Sequence, residues 1–260
     1  MPTIEVPRIQ VALFDMAATT VDDNIEKPGL EGKLPLVLAA YGSAFVKAGI
    51  QMSFEELNAC RGRDKLEVFE EKVAKYRTDL NPDRQKALAK NLHDKEFVPA
   101  LLDNVPYVKE MAGTTDVFRY LKDNGIYVAT GSGFPQVVTD AINDKLGWKA
   151  NGLVDYGTCG TAAGGGRPKP NMINATLIAA GLLSATTDKS KKQPGFDYKI
   201  VLKVGDTIED TREGQGVGAT TVAVSSGTQT IDTLVKANPI VVLPSVAALP
   251  QYLQNHGYLG

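Results

Sequence analysis

The stretch VALFDMAATTVDD runs from Val11 to Asp23, and the fold can be read outward from it. Four apolar residues lead straight to Asp15, so a carboxylate stands where a buried strand would end. Short apolar runs bounded by turn residues are the mark of strands covered on both faces of a parallel sheet. Ile9–Phe14 is the first such run, and Ile126–Thr130, Ile200–Val204, Thr220–Val224 and Ile240–Leu243 repeat its character. Helical patterns alternate with these runs: Asp116–Asn124 and Gly133–Leu146 around the second, then Asn171–Leu183, Asp210–Gly216 and Ser245–Gln254. Strand and helix in alternation predict an α/β fold, a doubly wound, Rossmann-like core on a parallel sheet. In such sheets ligands bind outside the carboxyl ends of the strands, which is where Asp15 would sit.

One region breaks the alternation. From about Leu34 to Leu102 the patterns are helical: Leu34–Ala48, Ser53–Cys60, Lys65–Tyr76 and Pro82–Leu102. Ser53 and Glu56 have capping-box spacing, and Asn81 precedes Pro82 and Asp83 as an N-cap would. The block reads as an all-helical insertion after the first strand, returning to the sheet through Asp103–Thr115. The expected division is a core of residues 1–24 and 104–260 with an inserted domain of residues 25–103. The polar loop Thr187–Gln193, with three lysines, is expected to be solvated.

The chain has 260 residues, 43% hydrophobic and 22% charged, with a net charge of −2, so nothing in its charge points to nucleic acid. Two cysteines, Cys60 and Cys159, make no disulfide framework and have no metal-ligand company. They read as reduced thiols of a cytoplasmic protein. The first eleven residues contain Glu5 and two prolines, and no secretory signal is expected of them. Three prolines and the polar residues Gln254, Asn255 and His256 argue against a membrane span near the end.

Three further segments point toward the crevice. VLKVGDTIED carries Asp206 just after a strand and Asp210 four residues on. Carboxylates brought together from two strand tips repel, and a hard cation such as Mg²⁺ resolves this. Read alone, Asp206 and Asp210 equally fit a helix cap and its first turn. VATGSGF would bring Thr130 and the amides of Gly131, Ser132 and Gly133 to a helix start, a natural anion site and also an ordinary tight turn. AGGGRPKPNM supplies Arg167, whose planar fork fits phosphate, although a single arginine is more often a surface charge.

Taken in chain order, the four elements resemble the haloacid dehalogenase superfamily of phosphotransfer hydrolases. Asp15-Met16-Ala17-Ala18-Thr19-Thr20, Gly166-Arg167-Pro168-Lys169-Pro170 and the stretch Lys203–Gly214 look like its phosphonoacetaldehyde hydrolase (phosphonatase) and phosphonatase-like branch. Ala18 stands where that branch has glycine. The resemblance implies a helical cap domain closing over the core. It also implies Asp15 as nucleophile and a Mg²⁺ held by Asp15, the backbone carbonyl of Ala17 and Asp206. Asp210 would act through water or by supporting the direct ligands, and Thr130 and Arg167 would hold the phosphoryl oxygens.

Superfamily phosphatases take a leaving-group proton from an acid two residues after the nucleophile, and Ala17 stands there. Loss of a general acid costs roughly 10²–10⁴-fold. Cleavage of a phosphorus–carbon bond needs an electron sink instead, and a lysine imine is one. Lys65 follows Gly62 with the Gly-x-x-Lys spacing of the phosphonatase Schiff-base lysine. Arg61 and Val68 stand where that branch has methionine and histidine, and Phe134 stands where it has tyrosine. Arg61 and Phe134 would therefore shape a substrate pocket that differs from the branch's own. The expected substrate is a small phosphonate or phosphate. A homodimer through cap helices is implied by the resemblance alone. A phosphate-monoester phosphatase and a non-hydrolytic binding protein of the same fold stay open.

Overall fold

Val11–Asp15 forms β1, every residue of it buried, at the centre of a six-stranded parallel sheet. The computed structural model describes residues 6–27, 32–60, 63 and 65–259. The other strands of this sheet are β2 (Tyr127–Ser132), β3 (Tyr156–Cys159), β4 (Val201–Gly205), β5 (Thr220–Val224) and β6 (Val241–Leu243). Their spatial order is β6-β5-β4-β1-β2-β3. The chain winds to one side of β1 and then to the other, which opens the crevice above its carboxyl end. Asp15 pairs with Gly131, and Phe14 pairs with Val204. The tips of β2, β1 and β4 therefore end level with one another. Adjacent strands lie about 4.8 Å apart, so side chains from three such tips share one small volume.

Between β1 and β2 the chain makes a helical excursion. Its helices are α1 (Leu36–Lys47), α2 (Phe54–Asn58), α3 (Lys65–Tyr76), α4 (Pro82–Asn91) and α5 (Val98–Asn104). Leu92–Phe97 joins α4 to α5 as a π-helical segment, so the single helix expected from Pro82 to Leu102 is wound in three parts. The Ser53–Glu56 capping box opens α2, and the Asn81 side chain accepts the Arg84 amide to open α4. Tyr41, Phe45, Phe69 and Phe97 pack into one aromatic cluster, with Tyr41 and Phe97 ring centroids 4.7 Å apart and Phe45 and Phe69 4.8 Å apart. This block thus has an aromatic centre, continuous with the hydrophobic core against the sheet. Val21–Asp22 pairs antiparallel with Lys109–Glu110, so the excursion leaves and rejoins the sheet side by side.

The remaining helices are α6 (Thr114–Asp123), α7 (Gln136–Lys145), α8 (Gly160–Ala163), α9 (Asn171–Ala179), α10 (Ile208–Val217), α11 (Ile231–Lys236) and α12 (Leu249–Asn255). Helix α5 of the excursion touches α7 and forms part of the seam between the two regions. β3, α8 and α11 were not expected from the sequence. β3 has four residues with Gly157 among them, too short and too mixed to register as a buried run. Among the described residues no helix is long and apolar enough to cross a membrane.

Candidate active site

A cavity of about 330 Å³ opens at the carboxyl ends of β1, β2 and β4. Asp15, Ala17, Arg167 and Asp206 form its floor, and Ser132, Gly133 and Phe134 form one side. Lys65 and Arg63 reach it from the helical excursion. The residues that converge here are separated by up to most of the chain, and only the sheet topology joins them.

The floor is a set of buried charges. Carboxylate oxygens of Asp15, Asp206 and Asp210 lie within 4.8 Å of one another, and all three residues are buried. An Arg167 Nη2 donates to Asp15 Oδ1 and also to the Gly131 carbonyl, at 3.1 Å. Arg167 Nε lies 2.8 Å from Asp210 Oδ1, an ion contact without hydrogen-bond alignment. Lys203 rises from the middle of β4 and sets its Nζ 2.9 Å from the same oxygen and 3.3 Å from Glu213 Oε2. Thr207 caps α10 and donates to Asp210 Oδ2 at 2.5 Å. Both oxygens of Asp210 are thereby engaged by protein groups.

Burial, partly opposed by Arg167, raises the Asp15 carboxyl above its ordinary range. Asp206 is pushed well above that range by burial first and by the charges of Asp15 and Asp210 next. Burial also acts to raise Asp210, but Arg167 and Lys203 outweigh it and hold this carboxyl below its usual value. Arg167, surrounded by Asp15, Asp210 and Glu213, stays charged despite burial, and its pKa is raised. Arg167 is shared among Asp15, Asp210 and Glu213, and Lys203 serves Asp210 and Glu213, while no cation among the described residues forms an ion pair with Asp206. Such a set of hard oxygen donors fits a hard divalent cation.

Two glycines make the arrangement sterically feasible. A Cβ on Gly205 would stand 2.2 Å from the Asp210 carboxyl carbon. A Cβ on Gly227 would stand 1.8 Å from Asp206 Oδ2. The two threonines after Ala18 tie the loop to the acids: Thr19 Oγ1 donates to Asp206 Oδ1 at 3.0 Å, and Thr20 Oγ1 donates to the Asp15 carbonyl at 2.8 Å. Ala18, just before them, has φ +60°, the conformation that glycine adopts freely.

The anion side differs from expectation. Thr130 does not face the crevice. It is fully buried, level with Phe14, and its Oγ1 accepts from Asn143 Nδ2 on α7 at 3.0 Å. β2 continues two residues beyond the apolar run, so the hydroxyl at the crevice belongs to Ser132. Gly131 stays in the ladder between Asp15 and Thr158 and offers its carbonyl to Arg167. Ser132, Gly133 and Phe134 line the cavity. Arg61, and Gly62 of the lysine motif, lie outside the described residues.

Lys65 opens α3 and is 8% exposed, with its Nζ donating to the Arg63 carbonyl at 3.0 Å. Val68, one turn on, is buried in the apolar centre of the excursion rather than in the cavity. Sequence reasoning assigned no role to Lys203, Glu213 or Asp23. A lysine inside an apolar strand, and a glutamate three residues after Asp210 on the same helix face, were the legible signs of the first two. Asp23 lines the cavity and is 1% exposed.

No family model matches the chain. A phosphonoacetaldehyde hydrolase of Latilactobacillus sakei is 28% identical over 231 residues, 83% of this chain and 75% of the relative. That of Bacillus cytotoxicus is 25% identical over 228 residues, 85% of this chain and 77% of the relative. Among solved structures, a phosphonoacetaldehyde hydrolase-like protein of Oleispira antarctica superposes with a TM-score of 0.71 at 20% identity, covering 96% of this chain and 93% of that one. A predicted phosphoglycolate phosphatase of Haemophilus somnus 129pt superposes with a TM-score of 0.70 at 17% identity, covering 95% and 98%.

Proposed function

We propose that the chain is a hydrolase of the haloacid dehalogenase superfamily, of the phosphonatase-like branch that it resembles in sequence and in fold. We propose that it cleaves the phosphorus–carbon bond of phosphonoacetaldehyde or a related 2-oxoalkylphosphonate. Residues 25–103 act as a cap over a core of residues 1–24 and 104–260. One observation carries the reading: Asp15 from the core and Lys65 from the excursion face one cavity in which Ala17 occupies the general acid's place.

The Lys65 amine adds to the substrate carbonyl and water leaves, giving an imine. Asp15 attacks phosphorus as the P–C bond breaks. The bond's electron pair moves onto carbon and is delocalised to the nitrogen as an enamine. No oxygen leaving group forms, so no acid at position 17 is required. Water then hydrolyses the aspartyl-phosphate to phosphate and free Asp15. The enamine carbon takes a proton from solvent, and a second water hydrolyses the imine and frees Lys65. Arg167 and Ser132 orient the phosphoryl oxygens. Asp15, the Ala17 carbonyl and Asp206 would hold Mg²⁺, with Asp210 in support. When bound, that ion would neutralise the paired carboxylates and the phosphoryl charge. We assign the reaction to the cytoplasm.

A second reading is a phosphate-monoester phosphatase. It is favoured by Asp23, a buried carboxyl lining the same cavity that could protonate an alkoxide. Phosphate release from phosphonoacetaldehyde and from an aryl phosphate, in wild type and Lys65→Arg, separates the two. The proposal expects Lys65→Arg to abolish release from the phosphonate. Release from the aryl phosphate alone, indifferent to Lys65→Arg, together with release from an alkyl phosphate that Asp23→Asn reduces, would favour the second.

A further inference from the structure

A second cavity, of about 430 Å³, adjoins the first, and Lys65 and Gly133 line both. Its walls carry the apolar groups of Leu66, Pro135, Cys159 and Ala162. Among the described residues no carboxylate and no guanidinium lines it. Besides Lys65, its polar side chains are His93, Gln136 and Thr161, and the first two each have one end engaged within the protein. His93 pairs with Asp94 Oδ1 at 2.7 Å, and Gln136 Nε2 donates to Asp140 Oδ1 and to the Gly157 carbonyl, each at 3.0 Å.

We infer that the substrate is a ketone, a 2-oxoalkylphosphonate whose carbonyl carbon bears a short uncharged alkyl chain seated in this second cavity. The inference rests on the phosphonatase reading above. With the phosphorus end held over Asp15 and Arg167, the carbonyl carbon stands at Lys65. Its remaining substituent then faces away from the phosphorus, toward the space on the other side of the amine. Hydrogen, the substituent in an aldehyde, would leave that neutral space to water beside the imine. An alkyl chain fills it and keeps water away until the P–C bond has broken. The products are phosphate and the corresponding methyl ketone, with the same bonds made and broken as above.

The test is phosphate release, with Mg²⁺, from phosphonoacetaldehyde and from 2-oxopropyl-, 2-oxobutyl- and 2-oxopentylphosphonate. The inference expects kcat/KM to rise by roughly tenfold per methylene across the ketones, as an apolar pocket discriminates. It also expects the longer ketones to exceed the aldehyde. Ala162→Trp, which fills the second cavity, should flatten that rise by lowering the pentyl ketone relative to the aldehyde. If that variant does not fold, the wild-type series decides alone. Preference for the aldehyde over every ketone would overturn the inference and leave the phosphonatase reading standing. Release from none of the four would overturn both.

Discussion

The Nζ of Lys65 lies 4.0 Å from the place a Cβ would take on Gly133. One residue opens α3 in the helical excursion and the other follows β2 in the core. This contact joins the two regions at the candidate site. A larger side chain at position 133 would displace the amine while leaving the exposed turn otherwise intact. Gly133→Leu is expected to lower kcat/KM for phosphonate cleavage at least roughly tenfold. Its urea-unfolding free energy should stay within about 0.5 kcal/mol of wild type, as for other surface changes.

Ala17 lines the cavity two residues after Asp15, and its methyl group has no proton to give. Ala17→Asp places a carboxyl there. Turnover of alkyl phosphates should rise, by up to roughly 10²-fold, since a general acid contributes that much or more. Phosphonate cleavage should fall, because the new carboxylate adds negative charge beside Asp15. Steady-state assays on both substrate classes check this, and unchanged alkyl phosphate turnover would count against the role given to position 17.

Mg²⁺ binding should depend on pH through Asp206. Burial, then Asp15 and Asp210, hold its carboxyl well above the ordinary value of 3.8. A cation needs the carboxylate ionised, so binding releases a proton and strengthens as pH rises through the folded value. The rise in Tm on adding Mg²⁺ should be larger at pH 8 than at pH 5. Without the ion the sign reverses. A raised folded pKa contributes stability that is complete below the unfolded value and lost as pH rises through the folded one. Asp206→Asn should therefore raise the Tm of the metal-free protein at pH 8, by roughly 2–4 °C for each kcal/mol relieved, and abolish the Mg²⁺ response.

Ala18 at φ +60° is strained, since its Cβ meets the backbone in the left-handed region. Ala18→Gly removes that cost, about 1 kcal/mol, less the greater chain entropy of glycine when unfolded. Thermal melts should show a Tm higher by roughly 2–3 °C. A lower Tm would mean that the Ala18 methyl packs usefully in the folded state.

Much of this site could be read from the chain because strands ending in Asp15 and Asp206 announce their own tips. Apolar runs locate parallel strands well, and the break in alternation located the helical excursion. The anion side was less legible. Thr130 and Ser132 are both hydroxyl residues near the end of one strand, and only the register against β1 puts the first below the crevice and the second in it. The Lys203–Glu213 pair was obscured for a different reason. Buried charges make sense only beside their partners, and Arg167 comes to them from a loop distant in sequence. Strand β3, with Gly157 against Asn143 and Thr130, is specified by packing on its neighbours rather than by its own residues.

The central claim is that the Lys65 amine is the electron sink. Borohydride reduction during turnover of phosphonoacetaldehyde, followed by peptide mass analysis, tests it directly. The account predicts inactivation with a two-carbon reduced adduct on the peptide containing Lys65, and none in Lys65→Arg. Continued phosphate release from the phosphonate with no adduct on any lysine would contradict it.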